Sequence, residues 1–129
     1  MTYKHILVAV DLTESSKEVI DKATSLAKGA NCKLSLVYVD VDDVVLESRH
    51  RVALESKMQA MVDQSDYPIT ESLVVIGDLH IKLAGIVKKS NIDLVVCGHH
   101  HTFFSRLFSS VPKLANAVET DLLVVYLNQ

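Results

Sequence analysis

Long apolar runs are missing from this 129-residue sequence. No stretch approaches the ~20 residues of a membrane span, and the first residues carry no apolar centre of a secretory signal. The chain is therefore expected to stay in the cytoplasm with no membrane partner. A basic stripe is missing too. The 13 Lys and Arg and 16 Asp and Glu give a net charge of −3, scattered rather than blocked. Nothing here neutralises a row of phosphates, so nucleic acid is not an expected partner. Cysteine is reduced to Cys32 and Cys97. On the strand assignment below they fall at opposite ends of a sheet, on the order of 15–20 Å apart at ~3.3 Å per residue. A disulfide needs Cα atoms within about 7 Å, so both are expected as free thiols in a reducing compartment. A Walker Gly-Lys-Ser run is absent as well, which excludes a GTPase-like phosphate site.

What is present is apolar residue, 49% of the chain, enough for one core and too short for two, so a single domain over 1–129 is expected. Short apolar runs alternate with amphipathic segments. His5 to Val10 is nearly continuous in apolar character, as in a strand buried on both faces, and stops at Asp11. Ser15 and Glu18 read as a capping box for a helix carrying Val19, Ile20, Ala23, Leu26 and Ala27 inward, with Gly29 as its left-handed end. Leu34 to Val39 reads as a second strand, ending in the acidic corner Asp40, Asp42, Asp43. A helix follows with Leu54, Met58 and Met61 on its apolar side. A third strand, Glu71 to Ile76, leads through Gly77 and the capping Asp78 into a helix from Leu79 to Ser90. Asp93 to Cys97 is a fourth strand ending at Gly98. A last helix, with Ser110 as cap and Pro112 in its first turn, precedes the strand Leu122 to Leu127. Strands alternating with helices give a mainly parallel sheet covered on both faces, and such sheets bind ligands beyond their carboxyl ends.

Several candidate residues gather at that edge. Asp11 either ties down the first loop or accepts a bond from a ribose hydroxyl. Gly98 is either a plain turn glycine or a point where backbone approaches a ligand. His99, His100 and His101 invite a metal, but consecutive side chains diverge and no Cys or His lies at zinc spacing elsewhere, so no metal or other cofactor is expected. Ser109 and Ser110 lie near these histidines without a glycine elbow, which favours capping over nucleophilic catalysis. Cys97, beside the histidines, has a lowered pKa on one reading and senses oxidants; on the other it is buried at the strand end.

The runs Tyr3-Lys4-His5-Ile6-Leu7-Val8-Ala9-Val10-Asp11, Asp93-Leu94-Val95-Val96-Cys97-Gly98-His99-His100 and Asp121-Leu122-Leu123-Val124-Val125 resemble the universal stress proteins. Phe103, Ser105, Leu107 and the pair Ser109-Ser110 resemble the A branch of that family. The connection at Val41 to Asp43 is shorter than in that branch. The resemblance implies a three-layer α/β, flavodoxin-like (adenine nucleotide alpha hydrolase-like) fold, with a five-stranded sheet in order 3-2-1-4-5. It also implies a non-enzymatic protein of bacterial stress tolerance, in growth arrest and under DNA-damaging and oxidative stress. The family's nucleotide-binding branch carries Gly-x-x-Gly, nine residues, Gly, then Ser or Thr. Here Gly98 fills the first place, but His101, Val111 and Pro112 stand in the others. Pro112 has no N–H, and Val111 resists the angles glycine allows. Asp11 and Val39 still match the ribose and adenine positions, so ATP is expected not to bind, with a weak adenine-nucleotide sensor as the alternative.

The last strand completes the expectations. Leu122, Leu123, Val124, Val125, Tyr126 and Leu127 form an edge with no Lys, internal Pro or bulge-forming Gly to protect it. Pairing with a second copy across a two-fold axis covers such an edge, and the family resemblance also implies a homodimer through this strand.

Overall fold

Five consecutive residues, His5–Ala9, are buried without exception and form strand β1. In the computed structural model, which describes residues 3–40, 48–98 and 119–127, β1 is the middle strand of the sheet. The other elements in chain order are α1 (Ser16–Ala30), β2 (Lys33–Asp40), α2 (Ser48–Gln64), β3 (Glu71–Ile76), α3 (Leu79–Ser90), β4 (Leu94–Gly98) and β5 (Asp121–Val125). The strand order is β3-β2-β1-β4-β5, and every neighbouring pair is parallel. This is the expected order, and it leaves β3 and β5 as the two edges.

Side-chain alternation along the strands divides the core in two. Ile6 and Val8 of β1 pack with Leu34 and Leu36 of β2 against α1 and α2, through Val19, Ala23 and Met58 among others. Leu7 and Ala9 turn to the opposite face with Val37 and Val95, beneath Leu83 and Val87 of α3. Leu83 is wholly buried and Val87 nearly so, as the helical spacing of α3 requires.

The amino-terminal edge is tied by polar groups. The Asp93 carboxylate accepts the backbone N–H groups of Lys4 at 2.8 Å and His5 at 3.0 Å, fixing the start of β4 to the start of β1. The His5 ring is buried and bridges two further elements. Its Nδ1 lies 3.1 Å from the Ser90 carbonyl, which can only accept, so Nδ1 carries the proton. Nε2 pairs with the Ser35 hydroxyl at 2.8 Å, and a terminal carbonyl of α3 gains a partner.

Two expected helix ends are corrected. Gly29 does not end α1, which runs on to Ala30; Asn31 takes the left-handed conformation at φ 52°. The Cys32 N–H then donates to Ala27 O at 3.1 Å. Asn91 repeats the device after α3, at φ 53°, with Ile92 N–H on Val87 O at 2.9 Å. Asparagine tolerates these angles nearly as well as glycine. At the other end, Ser15 makes no side-chain cap on α1, because its hydroxyl lies 2.7 Å from that of Thr13. Asp78 does cap α3, its carboxylate accepting from Ile81 N–H at 3.4 Å.

Both cysteines are free and buried. Cys32 belongs to the core under α1 and Cys97 to the core under α3, so the sheet itself separates them. The oxidant-sensing reading of Cys97 is overturned. The residue is 1% exposed, and burial pushes its thiol up from 9.0 to about 12. Between those values the folded chain keeps a proton that the unfolded chain has shed. Stability contributed by this group is therefore intact below pH 9 and falls as pH rises toward 12. Native protein near pH 8 should leave Cys97 unalkylated by iodoacetamide, with full labelling in denaturant. Between about pH 8 and about pH 10.5 the loss of unfolding free energy should be smaller in Cys97→Ala than in the wild type. Rapid native labelling of Cys97 would contradict the assignment.

Candidate functional site

Chain direction across the sheet reverses between β1 and β4. From β1 the chain moves outward through β2 to β3, then returns past β1 to β4 and β5. The loops leaving β1 and β4 therefore diverge, and a crevice opens between them at the carboxyl edge. Asp11 follows β1, and Gly98 is the last residue of β4.

The Asp11 carboxylate is occupied by its own loop. Oδ1 accepts from Thr13 N–H at 3.0 Å, from the Thr13 hydroxyl at 2.6 Å and from the Ser16 hydroxyl at 2.6 Å. Ser16 Oγ in turn accepts the Asp11 N–H at 3.0 Å. Asp-x-Thr-x-x-Ser spacing permits this: a short carboxylate folds back on the backbone two residues on and meets the first turn of the next helix. Leu12 is held at φ 61° in the middle of the turn, a conformation costly for a branched side chain. Of the two readings of Asp11, the geometry shows the loop-fastening role in place.

Gly98 leaves room that neighbouring side chains use. A Cβ there would lie 2.8 Å from Leu127 Cδ1, closer than carbon atoms approach, and 3.0 Å from Val19 Cγ2, a tight contact, so the end of the Leu127 side chain would have to shift. Leu127 is 3% exposed and fills the volume over the glycine. The space left between Asp11, Ser16, Val19, Gly98 and Leu127 is about 10 Å³, room for one water at most.

Other expected site residues are distributed unevenly. Val39 ends up one strand away, its side chain buried in the core beneath α3, so only its backbone faces the edge. His101, Ser109, Ser110, Val111 and Pro112 lie outside the described residues, as do His99, His100 and the connection at Val41 to Asp43. Among the described residues, no three His, Cys, Asp or Glu side chains gather as metal ligands, and no helix is long and apolar enough to cross a membrane.

The residues expected to form an interface divide by face. Val125 and Leu127 are buried within the chain, with Val19 as their neighbour in the core, so they offer no side chain to a partner. Leu122 is half-buried against the other core. Leu123, Val124 and Tyr126 are exposed, Tyr126 at 77%. Leu127 is thus the crevice residue that the sequence pattern did not single out. The available signal was alternation: Val125 pairs with Gly98, so Leu127 lies on the same face two residues on, where the missing Cβ leaves space.

Comparison with known proteins follows this geometry. A model of the Universal stress protein family matches residues 2–126. Universal stress protein A of Salmonella typhimurium is 44% identical over 137 aligned positions, covering 97% of this chain and 95% of that protein. Its counterpart in Yersinia pestis is 42% identical, covering 97% and 93%. The aligned span exceeds the 129 residues present here, so these relatives carry residues without a counterpart in this chain. Among solved structures, a universal stress protein in complex with cAMP matches with TM-score 0.72 at 25% identity, over 98% of both chains. The universal stress protein of Archaeoglobus fulgidus in complex with dAMP matches with TM-score 0.71 at 16% identity, over 99% of this chain and 100% of that one. The chain belongs to the universal stress protein family.

Proposed function

We propose that this chain is a non-enzymatic cytoplasmic stress protein of the A type, active in growth arrest and under DNA-damaging and oxidative stress, and that it holds no ATP. The observation that carries the nucleotide part is the closed crevice. A ribose would have to compete for a carboxylate whose Oδ1 already accepts three bonds from its own loop. A phosphate needs open space beside the loop after β4, and Leu127 fills what Gly98 leaves. The absence of glycine at His101 and Val111, and of a hydroxyl at Pro112, in the sequence points the same way.

A second reading, a weak adenine-nucleotide sensor, draws on the cAMP complex of the 25% identical neighbour. It requires Asp11 to leave Thr13 and Ser16, and Leu127 to leave the crevice.

The assembly belongs to the same proposal. Of the two sheet edges, β3 is obstructed: Arg51 of α2 donates from its guanidinium to the Val74 carbonyl at 3.2 Å. Such blunting protects an edge, whereas the sequence of β5 contains no Lys, Pro or Gly of its own to do so. We place the two-fold contact of a homodimer on β5, with Leu123, Val124 and Tyr126 as its side chains.

Isothermal titration with ATP, and separately with cAMP, should give no saturable heat below about 1 mM. A micromolar dissociation constant for either would replace the proposal with the sensor. Val124→Lys should convert the dimer to monomers in sedimentation while leaving the far-UV circular dichroism of the fold unchanged, since Val124 is exposed in the single chain. Wild-type protein sedimenting as a monomer at tens of micromolar would remove the dimer from the account.

A further inference from the structure

The loop after β1 borders two spaces. Asp11 faces the closed crevice, whereas Leu12 and Thr13 line an open cleft of about 580 Å³ between α1 and α2. That volume lies within the ~300–1,000 Å³ common for small-ligand sites. Its apolar surface comes from Ile20, which is buried, and from Leu12 and Met61, which pack half-buried against the same core.

The two walls carry opposite charge. On α1 and the turn before it, Glu14 and Asp21 flank the single cation Lys17. From α2 the lining is Lys57 with Ala60, Met61, Gln64 and the following Ser65, and it includes no acid. Ion pairs among the described residues join Lys28 to Asp66 and Arg51 to Glu55. The charges of Glu14, Asp21 and Lys57 therefore face solvent unpaired. Both acids of the cleft lie on the α1 side, with Lys17 between them, and the α2 side carries a cation alone, so one wall is acidic on balance and the other basic.

We infer that the α1–α2 cleft binds a short peptide with apolar side chains and free termini. The ammonium end meets Glu14 and Asp21, the carboxylate end meets Lys57, and the side chains cover Leu12, Ile20 and Met61. The dimensions agree. An extended tripeptide spans at most ~10 Å, and a cleft of about 580 Å³ has room for one. An anion alone meets the two acids of α1, and a cation alone meets Lys17 and Lys57. A ligand carrying both charges on an apolar body meets the acids of one wall and the cation of the other. The site is independent of the switch-point crevice and stands whether or not ATP binds there.

The test titrates the full-length protein with the tripeptide Leu-Leu-Leu, followed by amide chemical shifts. Saturable binding with a dissociation constant below about 1 mM is expected. Leu-Leu-Leu-amide and N-acetyl-Leu-Leu-Leu should each bind about threefold more weakly, one exposed ion pair being lost in each. Lys57→Gln should weaken the free peptide by a similar factor yet leave the amide unchanged, which a merely structural role for Lys57 does not predict. Ala60→Trp, at an exposed position, should fill the cleft and abolish binding with the melting temperature preserved. Absence of saturable binding up to about 10 mM overturns the inference. So does binding that is indifferent to Ala60→Trp or to blocked termini.

Discussion

Burial of β1 on both faces is the constraint from which the rest of this structure follows. A strand with no exposed side needs helices above and below, and sheet neighbours left and right. β2 and β4 supply the neighbours, α1 with α2 one cover, and α3 the other. The chain must leave β1 in one direction and return past it in the other, so the point of divergence falls beside β1 itself. The Asp93 carboxylate and the His5 ring hold the opposite end of the same strand. One end of β1 is thereby anchored, and the other is where a ligand crevice would open.

In this chain two groups of its own reach into that crevice. Asp11 turns back onto Thr13 and Ser16, and Leu127 descends from the far edge of the sheet onto Gly98. The second contact links the edge strand β5 to the switch point, since Leu127 lies two residues beyond Val125, the last residue of β5. A glycine at the end of β4 is therefore compatible with two opposite states of the crevice. It admits a ligand when nothing else occupies the space, and it admits a leucine here. Residue type alone does not distinguish them. The partner that decides is 29 positions away in sequence.

The fold was legible because its signals are local. Continuous apolar runs such as Ile6 to Val10, separated by helical spacing in Val19, Ile20 and Ala23, fix strand against helix within a few residues. Helix ends were less legible. Gly29 carries the strongest left-handed preference, yet packing through Ala30 lets Asn31 take that role. Ser15 and Glu18 match a capping box by spacing, but the Asp11 carboxylate reorganises the turn before it. Cys97 shows the same limit in its chemistry. Adjacent histidines in sequence suggest an activated thiol, whereas strand alternation points the side chain into the core under α3 and raises it. At the candidate site, Asp11 and Gly98 were recognised from their place after strands. The role of Leu127 depends on tertiary packing that no local pattern specifies.

Native mass spectrometry of freshly purified full-length protein tests the closed-crevice account most directly, because it reads bound nucleotide and subunit number in one spectrum. The account predicts the mass of two unmodified chains with nothing added. A population carrying the additional mass of an adenine nucleotide per chain would contradict it.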